Sequence, residues 1–298
     1  MRRQSRRVAA ALILGTLLVL MLSGAGLAAP PWSDASNQFW SHTYGVTDVQ
    51  VGTVASGYAN GTFRPNQPVT RAEFAKMAVS GLGIGTRDPA TPTFIDVPRG
   101  STFYGLVEGA YAAGLVKGET TPAGLVFGPN TDISRQQTNS ILGRYLSGQE
   151  IEATGAITGI LGGETPGFRY SSLENWYGSE GVGFIALFKD HSQVLPAHTQ
   201  GTAYLIFREV IKGSAGKLYP KANLSWAEAA VMVLRVKGAT FTTSVTLGGT
   251  NATSFHVDQD GGITAVVPAH AAGSVDVIVT TSNGASVSTA GSVYHYTD

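Results

Sequence analysis

Two arginines stand at equivalent places in a repeated pattern, and both have the chemistry to bind an anion. Arg71 follows Thr70 and Arg135 follows Ser134, with Glu or Gln three residues after each hydroxyl. This spacing is a capping box, which begins a helix. Each arginine therefore falls at a first helical position, where unpaired N–H groups and the helix dipole favour an anion. A guanidinium suits a carboxylate, although an arginine paired with a neighbouring acid or simply solvated explains the spacing equally well.

A third copy of the pattern keeps the helix start but lacks the arginine. Ser225 and Glu228 have the capping-box spacing, and Trp226 follows the hydroxyl. Two interpretations stay open here: the third copy has lost an anion site, or Trp226 offers a stacking face to a sugar or a partner. The capping role already explains Glu73 and Glu228, so neither is assigned as a catalytic acid or base.

The segments before these helix starts also share a skeleton, which indicates an internal repeat. Each opens with an aromatic residue, any residue and Asp, at Trp32-Ser33-Asp34, Phe94-Ile95-Asp96 and Phe188-Lys189-Asp190. A glycine lies 22 or 23 residues after the Asp, at Gly57, Gly118 and Gly213. A turn then closes on a bulky residue two positions before proline, at Phe63, Phe127 and Leu218.

The motifs resemble the S-layer homology (SLH) module of bacterial surface proteins. The resemblance rests on Trp32-x-Asp34, on the run Gly57-Tyr58-Ala59-Asn60-Gly61-Thr62-Phe63-Arg64-Pro65, and on Val69-Thr70-Arg71-Ala72-Glu73. It is strong in the first repeat, moderate in the second and weak in the third. It implies three helical repeats around a pseudo-threefold axis, with ligand grooves between neighbours. The implied ligand is a secondary cell-wall polymer, often carrying pyruvylated amino sugars.

The resemblance also implies a set of polymer-binding residues. These are Arg71, Arg135, Thr70, Ser134, Gly57, Tyr58, Asn60, Gly61 and Trp40. Asn60 stands where the family usually has Asp, and Asn-Gly makes a tight turn, so Asn60 and Gly61 are alternatively there for backbone geometry. Paired aromatic residues in a helical repeat also pack in cores, which is the alternative for Trp40.

The first 29 residues have the order of a secretory signal peptide: a basic start, an apolar run from Val8 to Leu22, and small residues ending at Ala28-Ala29. The alternative is a retained membrane anchor. Removing four arginines leaves 16 basic and 20 acidic residues, so the charge balance does not favour a nucleic-acid partner. The chain has no cysteine, which excludes disulfides and thiolate metal sites.

The remaining segments differ in composition from the repeats. Residues 148–185 form a glycine-rich insertion of unassigned purpose. From 238 onward, short β-rich runs separated by Gly and Asn turns predict a sandwich, and Ser244–Phe255 and Ile263–Pro268 resemble the latter part of an IPT/TIG immunoglobulin-like domain. About sixty residues are few for a full sandwich, so the domain is truncated, borrows an edge, or has only part of the sheet.

The predicted fold class is multidomain, with all-α, pseudo-trimeric SLH-like repeats followed by a small, all-β Ig-like sandwich. The predicted boundaries are a signal peptide at 1–29, repeats at 32–86, 92–147 and 186–237, the insertion at 148–185 and the β domain at 238–298. No metalloprotease, nucleophile-elbow or complete phosphate-loop motif occurs. We therefore expect no enzyme activity, no cofactor and no metal.

Two functions agree with this organisation. The first is a secreted surface protein anchored non-covalently to the bacterial wall through its polysaccharide, with the β domain free to contact other surface proteins and no membrane span after cleavage. The second is a protein interaction or scaffold module whose grooves no longer bind carbohydrate. Arg71 and Arg135 favour the first function, and Trp226 keeps the second open.

Overall fold

The computed structural model describes residues 32–159, 169–257, 263–289 and 291–297. The predicted signal peptide lies outside these residues. Over the ranges described, no helix has both the length and the apolar character needed to cross a membrane. The chain divides into a helical unit, made of the described residues up to 146 and of 183–239, and a second unit made of those in 147–182 and 240–297.

Helices dominate the chain before residue 240, and strands dominate after it, as the sequence predicted. The helices are α1 (Asn37–Tyr44), α2 (Asp48–Gly52), α3 (Arg71–Gly81), α4 (Tyr104–Ala112), α5 (Arg135–Thr154), α6 (Leu173–Trp176), α7 (Val182–Ala186), α8 (Pro196–Phe207) and α9 (Trp226–Lys237). A π-helical turn covers Tyr177–Gly181, and a 3-10 turn covers His191–Gln193. Helix α5 continues past residue 147, where the sequence pattern ended the second repeat.

An aromatic cluster forms the core of the first repeat. Trp32, Trp40 and Phe63 are all buried, and the ring of Phe63 lies 4.6 Å from that of Trp32 and 4.8 Å from that of Trp40, centre to centre. Such tilted and edge-to-face packing adds to the stabilisation from burial. Trp40 is fully buried, which agrees with the core alternative for this residue, and a polymer contact at Trp40 stays a prediction.

The aspartate of each repeat holds the turn that precedes the helix start. Its two carboxylate oxygens accept from two consecutive backbone N–H groups across about 30 residues of chain. The acceptor–donor sets are Asp34 with Phe63 and Arg64, Asp96 with Phe127 and Gly128, and Asp190 with Leu218 and Tyr219, all between 2.7 and 2.9 Å. Since hydrogen bonds to charged groups are the stronger class, this carboxylate fixes where each turn lies.

The repeated glycine is required for two reasons. Gly57, Gly118 and Gly213 have φ between 65° and 71°, a region that side-chain-bearing residues rarely adopt. A Cβ at these positions would also lie 2.4–2.6 Å from the aromatic ring that opens the same repeat, on Trp32, Phe94 and Phe188 respectively. The aromatic residue and the glycine therefore pack directly on each other in all three repeats.

Helices α5 and α8 cross in close contact between the second and third repeats. A Cβ on Gly143 would lie 2.5 Å from Gly201 Cα, and a Cβ on Gly201 would lie 2.8 Å from Asn139 O. Both neighbours are backbone atoms, so only glycine allows this approach. The second and third repeats are thus in direct contact along these two helices, within one helical unit.

The second unit contains the strands that follow residue 240 and the described part of the insertion up to residue 182. Strands β1 (Glu119–Thr121) and β2 (Gly124–Val126) form a hairpin in the helical unit, and β3 (Ile157–Thr158) pairs with β4 (Arg169–Tyr170) in the insertion. The later strands are β5 (Thr242–Leu247), β6 (Thr250–Asn251), β7 (Ser254–Val257), β8 (Ile263–Val266), β9 (Gly273–Thr281), β10 (Gly284–Ala285) and β11 (Val293–Tyr296).

The later strands form an antiparallel sheet in the order β10-β9-β5-β6, with β11 also paired to β9, and a separate hairpin of β7 with β8. On β5 and the residue before it, Phe241, Val245 and Leu247 are buried, which is the alternation expected of a strand with one covered face. A β region is therefore present.

Candidate ligand-binding junctions between the repeats

The three helix starts meet in a closed ring of backbone hydrogen bonds. The N–H of Val69 donates to Leu224 O at 3.0 Å, that of Leu224 to Ile133 O at 2.9 Å, and that of Ile133 to Val69 O at 3.0 Å. Each bond joins the residue before one cap hydroxyl to its counterpart in the next repeat. The ring brings the starts of α3, α5 and α9 together.

The first N–H groups of each helix are already paired with the neighbouring repeat. Arg71 N donates to Thr131 O, Arg135 N to Ala222 O and Trp226 N to Gln67 O, each at 2.9 Å. The next N–H groups, on Ala72, Gln136 and Ala227, donate to the carbonyls of Pro129, Pro220 and Pro65. The expectation of unpaired N–H groups at these helix starts is therefore wrong, and any anion must be bound by side chains.

The cap hydroxyls are engaged within their own helices, as predicted. Thr70 with Glu73, and Ser225 with Glu228, form reciprocal capping boxes. Gln137 Oε1 accepts from Ser134 N at 2.9 Å and lies 3.0 Å from Ser134 Oγ. The capping function accounts for the positions of Thr70 and Ser134 without a ligand.

The predicted turn residues of the first repeat bind each other. Tyr58 N donates to Thr62 O at 2.8 Å, and Gly61 N donates to Tyr58 O at 3.0 Å. Asn60 Oδ1 accepts from Thr62 Oγ1 at 2.7 Å and from Thr62 N at 3.2 Å. These bonds agree with the backbone-geometry interpretation of Asn60 and Gly61.

Three contacts between adjacent repeats differ in chemistry, and we call them junctions 1–2, 2–3 and 3–1. In junction 1–2, Arg71 of the first repeat lies on Phe127 of the second. Arg71 Nε donates to Phe127 O at 2.7 Å, and its Cζ lies 4.9 Å from the centre of the Phe127 ring.

The charge of Arg71 has no ion-pair partner among the residues that the structure describes. Burial lowers the pKa of Arg71, while the carboxylates of Asp96 and Glu119 act in the opposite direction. The guanidinium stays protonated, since an arginine does not titrate in proteins, and it is held half-buried by its Nε bond and by the ring.

In junction 2–3 the equivalent arginine is paired. Arg135 Nη2 contacts Glu228 Oε1 of the third repeat, and the two side chains are 32% and 24% exposed. Burial and then the Glu228 carboxylate raise the pKa of the Tyr44 hydroxyl. The alternative left open by the sequence, an arginine paired with a neighbouring acid, holds for Arg135 but not for Arg71.

Junction 3–1 is aromatic. Trp226 is 9% exposed, and its ring lies 5.3 Å from that of Tyr58 and 6.1 Å from that of Phe63. Burial and then the carboxylate of Glu73 raise the pKa of Tyr58. Trp226 also lines a cleft together with Glu73 and residues 52–57 of the first repeat.

Sequence reasoning did not identify Phe127 or Glu228 as partners of the arginines. Each lies more than 50 residues from its arginine along the chain. The repeat could have indicated these partners. Once the helix starts form a ring, the first helical residue of one repeat faces the turn and the cap of the next. The described residues contain no group of three or more His, Asp or Glu placed to bind a metal.

Residues 52–75 match the S-layer homology domain. The matched span contains the Gly57 turn, the capping box and Arg71. It therefore covers the contribution of the first repeat to junctions 1–2 and 3–1. The match supports a location at the bacterial cell surface or in the S-layer.

Three curated proteins are similar to parts of the chain. An endoglucanase from Bacillus sp. (strain KSM-635) is 36% identical over 107 residues, which are 36% of this chain and 11% of the relative. Exoglucanase XynX of Acetivibrio thermocellus is 32% identical over 88 residues, 30% of this chain and 8% of the relative. Cell surface glycoprotein 1 of Acetivibrio thermocellus is 29% identical over 154 residues, 48% of this chain and 6% of the relative. The chain thus spans about a tenth or less of these relatives' length.

Proposed function

We propose that this protein is a non-catalytic surface protein, exported by its signal peptide and held non-covalently on the bacterial cell wall. In this proposal all three repeats of the helical unit are S-layer homology repeats. They bind an anionic secondary cell-wall polysaccharide, such as one that carries pyruvyl ketals. The IPT/TIG-like β region contacts other surface proteins.

The observation that carries the proposal is that no carboxylate of the described residues forms an ion pair with the guanidinium of Arg71. Its Nε bond to Phe127 O and its packing on the Phe127 ring fix its plane. A half-buried cation without an ion-pair partner is costly unless an anion joins it. A carboxylate is the anion that fits, because it can accept two parallel N–H bonds from a planar guanidinium.

The relatives support an anchoring role for the shared segment. Two of them are named as glucanases and one as a cell surface glycoprotein, and the similarity covers only 6–11% of each. A segment shared by proteins with such different names supplies a common property rather than one catalytic activity. Attachment to the cell surface is such a property.

A second function, a protein interaction module without carbohydrate binding, is favoured by one observation. Junction 2–3 is closed by the pair of Arg135 and Glu228, and junction 3–1 carries Trp226 in place of an arginine. In this alternative a protein partner would contact junction 3–1, and replacing Arg71 would not change binding.

The experiment is sedimentation of the mature protein with purified cell walls of the producing bacterium, before and after chemical extraction of the wall polymer. We expect binding to intact walls and its loss after extraction. Equal binding to extracted walls, or none to either, would contradict the polymer-anchoring proposal.

A further inference from the structure

The ion pair in junction 2–3 joins the arginine of the second repeat to a carboxylate of the third. Glu228 is the capping residue of α9: one carboxylate oxygen, Oε2, accepts from Ser225 N at 3.0 Å. The other, Oε1, contacts Arg135 Nη2. A single carboxylate therefore begins the helix of the third repeat and neutralises the arginine of the second.

The same position in junction 1–2 carries no charge. Gln137 is the capping residue of α5, and it occupies in the second repeat the place that Glu228 occupies in the third. Arg71 therefore faces a repeat whose capping residue is a neutral amide, whereas Arg135 faces one with a carboxylate. The capping residues of the two junctions therefore differ in charge, and Asp96 and Glu119 act on Arg71 without forming an ion pair with it among the described residues.

We infer that Glu228 is an internal competitor that occupies on Arg135 the place of the ligand's carboxylate, so that junction 1–2 is open to an anionic ligand and junction 2–3 is closed. The inference rests on the proposed function and deepens it. It makes Glu228 a specificity-determining residue, because its charge decides how many anion sites the protein offers.

Glu228 is an incomplete substitute for a free carboxylate. Arg135 Nε is buried and has no acceptor among the described residues, although Nε and Nη together form the fork that a carboxylate can bind. Glu228 supplies one oxygen only, because its other oxygen caps α9. Once Glu228 no longer neutralises the arginine, a ligand carboxylate would engage Nη2, the nitrogen that Glu228 contacts.

Among the described residues, Glu228 is the carboxylate that forms an ion pair with Arg135, and the other charged and titratable groups near this junction have different contacts. Arg235 donates through Nη1 to Val210 O at 2.9 Å. Tyr44 lies near both members of the pair, and burial with the Glu228 carboxylate disfavours its ionisation by raising its pKa. Glu228 is therefore the residue to change.

The test is Glu228→Gln, which copies Gln137 and keeps an oxygen for the cap. The probe is a methyl glycoside that carries a pyruvyl ketal, titrated calorimetrically. We expect one site per wild-type molecule, two in E228Q, and about tenfold tighter sedimentation of E228Q with cell walls, since two linked sites bind more tightly than one. Arg135→Ala in the E228Q background should remove the gain.

The reverse change supplies a second readout. Gln137→Glu should place a competing carboxylate opposite Arg71 and abolish probe binding, while the capping box of α5 remains. Wild type with one site and E228Q still with one would overturn the inference and leave the proposed function intact. Absence of probe and wall binding in both proteins would refute the proposed function, and the inference with it.

Discussion

Replacing Gly143 by Ala tests whether the third repeat is packed into the helical unit through α5 and α8. The added Cβ would lie 2.5 Å from Gly201 Cα and 2.6 Å from Gly201 O. Carbon atoms in contact are about 3.5–4.0 Å apart, so the two helices must separate by about 1 Å. Both obstructing atoms are backbone, so a change of rotamer cannot relieve the overlap.

Two opposing effects set the change in the free energy of unfolding of Gly143→Ala. Overpacking of this kind costs about 1–3 kcal/mol, and alanine in a helix gains about 0.5–1 kcal/mol over glycine. We expect a net loss of about 1–2 kcal/mol in the free energy of unfolding. For a unit of this size, each kcal/mol lowers Tm by about 2–4 °C.

The assay is differential scanning calorimetry of the mature protein, with Gly148→Ala as the matched control. Gly148 lies in the same helix, and a Cβ there would meet nothing within 4 Å. We expect Gly148→Ala to keep or raise Tm and Gly143→Ala to lower it. Equal behaviour of the two variants would refute the close approach of α5 to α8.

Two further predictions follow from the turn of the first repeat and from junction 3–1. Burial acts to raise the pKa of Asp34, but hydrogen bonds from Phe63 N and Arg64 N outweigh it, so its pKa lies below 3.8. Its stabilising contribution is therefore present above pH 3.8 and is lost as pH falls below that value. Between pH 5 and pH 3, the Tm of Asp34→Asn should fall less than the Tm of wild type. An equal fall in both proteins would contradict this prediction. Because the side chain of Trp226 is buried, we expect Trp226→Ala to lower the free energy of unfolding by about 3–5 kcal/mol and Trp226→Phe to keep both fold and wall binding. Urea denaturation that found Trp226→Ala as stable as wild type would contradict this prediction.

The local features of the repeats could be predicted from the sequence because their interactions span few residues. The capping boxes at Thr70 and Ser225 depend on residues three apart, and the helix order follows from them. The close packing of Gly57 on Trp32 was visible as a constant spacing, although its reason, a positive φ under an aromatic ring, needed coordinates.

The chemistry of the junctions could not be predicted, because it depends on which repeat follows which around the ring. Arg71 and Arg135 look equivalent in sequence, yet one lies on Phe127 and the other on Glu228. The helix-start N–H groups looked free, since nothing in one repeat shows that carbonyls of the next repeat accept from them. Trp40 is different, because Trp32 and Phe63 of its own repeat pack on it, and the sequence already offered the core as the alternative.

The central claim is that the guanidinium of Arg71 binds an anionic wall polymer, and the most direct measurement is the affinity of Arg71→Ala and Arg71→Lys for purified cell walls. A charge-assisted hydrogen bond contributes about 1.5–3 kcal/mol, so Arg71→Ala should bind about ten- to a hundredfold more weakly, with native circular dichroism because Thr70 still caps α3. Arg71→Lys should fall between, since it keeps the charge but loses the planar fork. Wall binding by Arg71→Ala equal to that of wild type would contradict the claim.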